Sequence, residues 1–163
     1  MEEQGFFYRD TWAEVDLDSI SENIRLTKEL LPSKTEIIAV VKANAYGHGD
    51  IQTAMAALDS GALYLAVVFR DEAIALRIKA AAVPILLLVA TRPRDVGIAI
   101  KYNITLTLLY CGWLDEAKPY LQEDDRLNLH IKVDTGMGRI GVRDSHELKK
   151  MERAILYDKR FYL

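Results

Sequence analysis

Cys111 is the only cysteine among 163 residues, so no intrachain disulfide can form and the chain depends on packing for its stability. Cys111 itself reads as a packing residue, the usual fate of a free thiol. The three histidines are dispersed and make no zinc-type cluster with it, so no metal site is expected. No run reaches the roughly 18 uninterrupted apolar residues that a membrane helix needs. Met1 to Asp10 also lacks the basic segment followed by an apolar stretch that marks an export signal. The expected location is therefore the cytoplasm, away from any membrane. Positive charge is not in excess either: 21 Lys and Arg stand against 24 Asp and Glu, scattered rather than striped, for a formal net charge of -3. That distribution gives a nucleic-acid backbone or an anionic membrane nothing to bind. Internal repeats, low-complexity tracts and dividing linkers are absent as well. What is present is the composition of a soluble globular domain, 50% hydrophobic and 28% charged, for which small molecules or proteins are the expected partners.

Apolar, β-branched runs recur about every twenty residues, at 37–43, 63–68, 85–89, 104–108 and 127–133. They read as five buried strands. Helix-like segments lie between them at 49–60, at 71–80 with Ile74 and Ile78 four apart, near 94–102, and at 112–121 with Trp113, Ala117 and Tyr120 on one side. A further helix precedes the first run, where Ser19 and Glu22 form an S-x-x-E capping box and Pro32 helps to end it. Another follows the last run, with Leu148, Met151 and Ile155 along one face. Residues 10–17 alternate enough to be a separate, half-exposed strand.

Repeated βα units with short links require parallel strands and helical crossovers, in a doubly wound sheet or a (β/α) barrel. Periodicity alone does not choose between the two. The fifth run favours the barrel, because Leu127, Leu129, Ile131 and Val133 share one face while Asn128, His130, Lys132 and Asp134 share the other. Helices would cover the first face and a polar interior would receive the second. A closed eight-stranded barrel takes roughly 250 residues. The expected architecture is therefore α/β, a partial TIM-type barrel with about five of eight strands over 18–163, preceded by a strand segment over 1–17.

Two segments carry candidate chemistry. In VVKANAYGHGD, residues 40–50, Lys42 stands at the carboxyl end of the first strand, the end at which such folds gather their active sites. On an inward face with Ile38 and Val40 its amine would be partly desolvated. Desolvation disfavours the ammonium and frees the amine as a nucleophile or proton carrier. The plainer alternative is a lysine that emerges into solvent where its strand ends. Tyr46 follows in a loop with Gly47 and Gly49, where a hydroxyl and free amides could reach a phosphate, or where the chain simply turns. His48 is a candidate acid-base group or an exposed loop histidine.

The second segment, HIKVDTGMGRIG at 130–141, turns through Gly136, Gly138 and Gly141 and contains a formal G-x-G-x-x-G. A dinucleotide site needs a helix that opens at the glycines, whereas the next helix-start signal here is Asp144-Ser145. The charges are more telling. Lys132, Asp134 and Arg139 crowd one strand end, and Arg139 offers planar donors to a carboxylate or phenolate, unless the three merely fix the loop.

Taken together, residues 9–24 (RDTWAEVDLDSISENI), 39–50 (AVVKANAYGHGD), 65–77 (LAVVFRDEAIALR), 82–90 (AVPILLLVA) and 130–142 (HIKVDTGMGRIGV) resemble the amino-terminal part of the alanine racemase family, in order and with natural spacing. The resemblance covers nearly all of 9–163. It implies a barrel that binds pyridoxal 5'-phosphate (PLP), the interconversion of L- and D-alanine for peptidoglycan, and a homodimer. In it Lys42 is similar to the lysine that carries PLP covalently and serves as base toward the D-amino acid. Tyr46 is similar to the tyrosine that contacts the cofactor phosphate. Arg139 resembles the arginine that approaches the PLP phenolic oxygen and the substrate carboxylate, and Lys132 a lysine often carbamylated to orient it. The family's opposing base is a tyrosine of the partner's carboxyl-terminal domain, whose counterpart would lie beyond residue 163. The resemblance thus implies an incomplete catalytic unit. Two alternatives follow: a non-catalytic, PLP-binding or oligomerising module, and a racemase for another amino acid such as serine or lysine.

Overall fold

A computed structural model of the chain describes residues 10–80 and 82–163. Its elements are α1 (Leu17–Leu30), β1 (Ile38–Val40), a single turn α2 (Lys42–Tyr46), α3 (Asp50–Asp59), β2 (Tyr64–Val67), α4 (Arg70–Ala80) and β3 (Ile85–Leu87). There follow α5 (Val96–Lys101), β4 (Ile104–Leu108), α6 (Gly112–Ala117), β5 (Leu127–Ile131), α7 (Ser145–Tyr157) and β6 (Phe161–Tyr162).

The six strands of the described residues are all parallel and lie side by side in chain order, β1 to β6. A doubly wound sheet reverses its order at a switch point. The absence of any reversal identifies the sheet as part of a barrel wall, with β1 and β6 as its two edges.

Strand alternation gives this wall two unlike faces. The outer one presents Leu65, Val67, Ile85, Leu87, Leu106 and Leu129 to the helices, which answer with Ala57, Leu76, Val96, Leu114, Met151 and Ile155 in a single core. Each fully buried aliphatic side chain there contributes about 1.5–3 kcal/mol. The core therefore lies between sheet and helices, on the outer face. The inner face is set by the register pairs Ile38↔Tyr64, Val40↔Ala66, Leu86↔Thr105 and Thr107↔His130. It turns from apolar on β1 to polar on β4 and β5, as the alternation of the fifth run predicts, and Thr107 Oγ1 donates to the Leu87 carbonyl at 2.5 Å.

Three expectations need correction. The cap of α1 is Asp16, whose carboxylate accepts both the Ser19 amide at 3.0 Å and the Ser19 hydroxyl at 2.7 Å, so Ser19 sits one turn inside the helix. Residues 10–16 form no strand: no described strand lies beside them to accept their backbone hydrogen bonds, Trp12 is largely exposed, and α1 opens at Leu17. The rest of that segment, residues 1–9, lies outside the described residues. Tyr120 leaves the buried side of its segment, because α6 ends at Ala117 and a 3-10 turn, Lys118–Tyr120, swings the ring to the surface. One strand was not anticipated. β6 pairs Phe161 with Leu127 and Tyr162 with Asn128, and two residues are too few to register as a periodic run.

Candidate active site

β1 stops at Val40, and Val41 still donates to the Ala66 carbonyl of β2 at 2.9 Å. The chain then winds the wrong way. Ala43, Asn44, Ala45 and Tyr46 all have positive φ, from 50 to 56°, so α2 is a left-handed turn made without glycine. Such a conformation costs about 1–2 kcal/mol per residue, hence roughly 4–8 kcal/mol for four, and it persists only where surrounding contacts over-determine it. Several do. Ala45 donates to Val41 O at 3.0 Å, the Asn44 carbonyl accepts both Gly47 and Gly49 amides at 3.0 Å, and Asn44 Oδ1 accepts the Asp50 amide that opens α3.

The turn brings Lys42 and Tyr46 together, with Nζ 5.1 Å from the ring centroid and within cation–π range. Both stand at the carboxyl end of the sheet, with Lys42 half-buried and Tyr46 exposed. The shielding expected from Ile38 and Val40 is weaker than the sequence suggests, since these residues are 41% and 39% exposed on the open inner face. His48 is exposed, and its Nδ1 lies 2.9 Å from the Ala45 carbonyl, so it braces the turn.

Sequence reasoning passed over Glu72, at the start of α4. Its Oε1 accepts the Ala43 amide at 2.6 Å, while Oε2 accepts the Val68 and Phe69 amides at 3.0 and 2.8 Å. The Val68 and Phe69 bonds are the short reach-back of an acid in the first turn of a helix, whereas nothing in the local pattern signals the bond to Ala43, which crosses 29 positions.

The second candidate segment is arranged differently from its predicted crowding of Lys132, Asp134 and Arg139. Lys132 continues β5, and its Nζ donates to the Leu88 carbonyl at 3.4 Å across the inner face. Arg139 is exposed, and its guanidinium has no hydrogen-bond or ion-pair partner among the described residues. The arginine that does meet Asp134 is Arg143, whose Nε and Nη2 grip one carboxylate oxygen at 3.0 and 2.9 Å. Gly136 and Gly138 donate their amides to the other oxygen, each at 3.0 Å. The Asp134 side chain is only 1% exposed. These amides, with Arg143 beside them, hold its carboxyl down at about 2. The chain also ties itself off here, with Val142 donating to Lys132 O at 2.8 Å and Asp134 to Val142 O at 2.9 Å. α7 opens only at Ser145, capped by Asp144 and not by the glycines, which removes the dinucleotide geometry.

Asp158, gripped by Arg160, is likewise held at about 2. Both carboxylates sit below the usual value of about 3.9, so the stability they contribute is present above that value and lost as pH falls from about 4 toward 2. Urea midpoints measured across this window should fall steeply for the native chain and less steeply for Asp134→Asn and Asp158→Asn. Identical slopes in all three would remove this account.

The fold and site define a class: a parallel (β/α) barrel domain whose strand ends present a lysine amine beside a tyrosine and a tied glycine loop. The chain belongs to the alanine racemase family, since the family profile "Alanine racemase, N-terminal domain" matches residues 15–160. It is 50% identical over 157 residues to alanine racemase of Geobacillus stearothermophilus, covering 96% of this chain and 40% of that protein. The crystal structure of Bacillus anthracis alanine racemase with bound L-Ala-P superposes with a TM-score of 0.89 at 44% identity, over 97% of this chain and 41% of that one. A histidine racemase from Leuconostoc mesenteroides is also similar, with a TM-score of 0.83 and 29% identity over 90% of this chain and 40% of that one. The chain thus spans about 40% of the length of the curated relatives it matches. Among the described residues no helix is long and apolar enough to cross a membrane.

Proposed function

We propose that this chain is the PLP-binding portion of an alanine racemase, with Lys42 as the residue that takes the cofactor. The observation that carries the reading is the left-handed turn, which sets a primary amine 5.1 Å from a tyrosine ring at the carboxyl end of the sheet. The donor set suits the cofactor: an amine for its aldehyde, and a phenol hydroxyl followed by a glycine-bounded loop for its phosphate. PLP, when bound, supplies the electron sink that makes the α-proton of an amino acid removable.

This chain's own residues would do the rest. Lys42 Nζ moves a proton at the α-carbon on the side of the D-amino acid. Tyr46 holds the phosphate through its hydroxyl. Arg139, unengaged among the described residues, turns its planar donors to the phenolic oxygen and the substrate carboxylate. Lys132, once carbamylated, would exchange a cation for an anion and draw Arg139 inward by attraction. Alanine is the substrate this reading assigns, in the cytoplasm and within a homodimer whose partner supplies the opposing base.

Two measurements test it. Borohydride reduction of the chain with PLP, followed by peptide mass analysis, should place the adduct on Lys42, and Lys42→Ala should lose it. No adduct on Lys42 would sink the reading. With added PLP, the chain should exchange the α-proton of D-alanine with solvent deuterium faster than that of L-alanine, because Lys42 is the base this reading places on the D side, and Lys42→Ala should lose the D-alanine exchange. Exchange of neither enantiomer, with the adduct intact, would favour the non-catalytic module. That second reading is supported by the exposure of Ile38 and Val40 beside Lys42, which weakens the desolvation that would free its amine. Faster exchange with D-serine, D-lysine or D-histidine than with D-alanine would move the substrate assignment.

A further inference from the structure

We propose that Glu72 is the positioning residue of the Lys42 turn: its carboxylate binds the Ala43 amide on one oxygen and the Val68 and Phe69 amides on the other, locking the left-handed backbone to the loop that follows β2. The inference rests on the proposed role of Lys42 only for its meaning, since the geometry stands by itself. Three backbone N–H groups from two different loops converge on one side chain. None of the three is used by the sheet ladder. Without an acceptor at that spot, the Ala43 amide at the start of the strained run would have no partner among the hydrogen bonds described, and the four left-handed residues would lose a side-chain tie to the next βα unit.

The position requires an acceptor-only group. A carboxylate presents lone pairs on both oxygens, and its charge strengthens each bond. Glutamine keeps the size but turns one oxygen into an NH2, which must then face either Ala43 N–H or the Val68 and Phe69 pair, donor against donor. Aspartate keeps the charge but is one methylene shorter, so it reaches one loop and not both. Glu72 thus adds to the ordinary role of a helix-start acid, which its Val68 and Phe69 bonds fulfil, a reach to Ala43 that would not survive the change to Asp.

Amide hydrogen exchange on the PLP-free chain is the decisive measurement. In Glu72→Gln, exchange at Ala43, Ala45 and Gly47 should accelerate about tenfold or more, as loss of a charge-assisted bond predicts, while the amides of β4 and β5 keep their native rates. Glu72→Asp should fall between the two. In the same variants the PLP concentration that half-saturates the Lys42 adduct should rise about tenfold in Glu72→Gln and less in Glu72→Asp, with the urea midpoint little changed. Native exchange rates in the turn of Glu72→Gln would overturn the proposal. Uniform loss of protection through β4 and β5 in both variants would also overturn it, by making Glu72 a residue of the fold as a whole. If the native chain forms no adduct on Lys42, the cofactor reading fails, and the exchange rates alone decide the role of Glu72.

Discussion

Gly141→Ala should destabilise the chain by about 3 kcal/mol or more, the sum of a strained φ and a steric clash. Gly141 has φ +130°, and a Cβ built on it would lie 2.8 Å from the Asp134 amide nitrogen, 3.0 Å from the Lys132 carbonyl oxygen and 3.1 Å from the Val133 carbonyl carbon. All three neighbours are backbone, so none can rotate away. The first two also belong to the pair of hydrogen bonds that closes the 134–142 loop, so relief of the clash must open that tie. For a chain of this size the melting temperature should fall by roughly 6–12 °C. Gly136→Ala is the control. Its φ of +138° is as unfavourable, but a Cβ there meets nothing within 4 Å, and only the conformational cost of about 1–3 kcal/mol remains. Thermal unfolding of the two variants side by side separates the effects: equal losses would mean that the close approach at Gly141 contributes nothing.

Arg77→Ala should cost about 2–4 kcal/mol, because at least three carbonyl oxygens lose a charged donor together. Arg77 leaves α4 and reaches the far end of the sheet from Lys42. There Nε donates to Tyr102 O at 2.7 Å, Nη1 to Val83 O at 2.8 Å and Nη2 to Asn103 O at 2.7 Å. These carbonyls belong to the segments that enter β3 and β4, so one planar group sets the start of two strands. Burial lowers its pKa, yet a guanidinium keeps its proton at any pH the fold tolerates. Arg77→Lys retains the charge but not the fork, and should recover less than half of the loss. Urea unfolding measures both. The Lys42 adduct should form normally in either variant while the chain is folded, and a selective loss of the adduct would show that this end of the sheet is coupled to the other.

The fold was legible in the sequence wherever burial imposes periodicity. The runs at 104–108 and 127–133 gave strands within two residues of their observed ends, and the Leu127/Leu129 against Asn128/His130 alternation identified the barrel wall. The site was legible in its residue types but not in its backbone. Lys42 and Tyr46 could be singled out, whereas four left-handed residues without glycine run against the propensity from which a sequence is read. Glu72, Arg77 and Arg143 were missed for one shared reason. Each has at least one partner brought near by folding or by a loop that closes on itself, and as isolated letters they are ordinary charged residues of helix and loop. The expected pairing around Arg139 failed in the same way: Asp134 chose Arg143, four positions further on, because the glycine turn points its carboxylate there.

The unbroken order of the six strands bears on how the chain comes to be folded. Each described strand after the first hydrogen-bonds to the one made just before it, so each of these pairings closes a short loop. At the pace of synthesis, about 5–20 residues per second, a new βα unit emerges every few seconds and finds its docking edge already in place. The wall can therefore grow from one side, laid down strand by strand in the direction in which the message is translated.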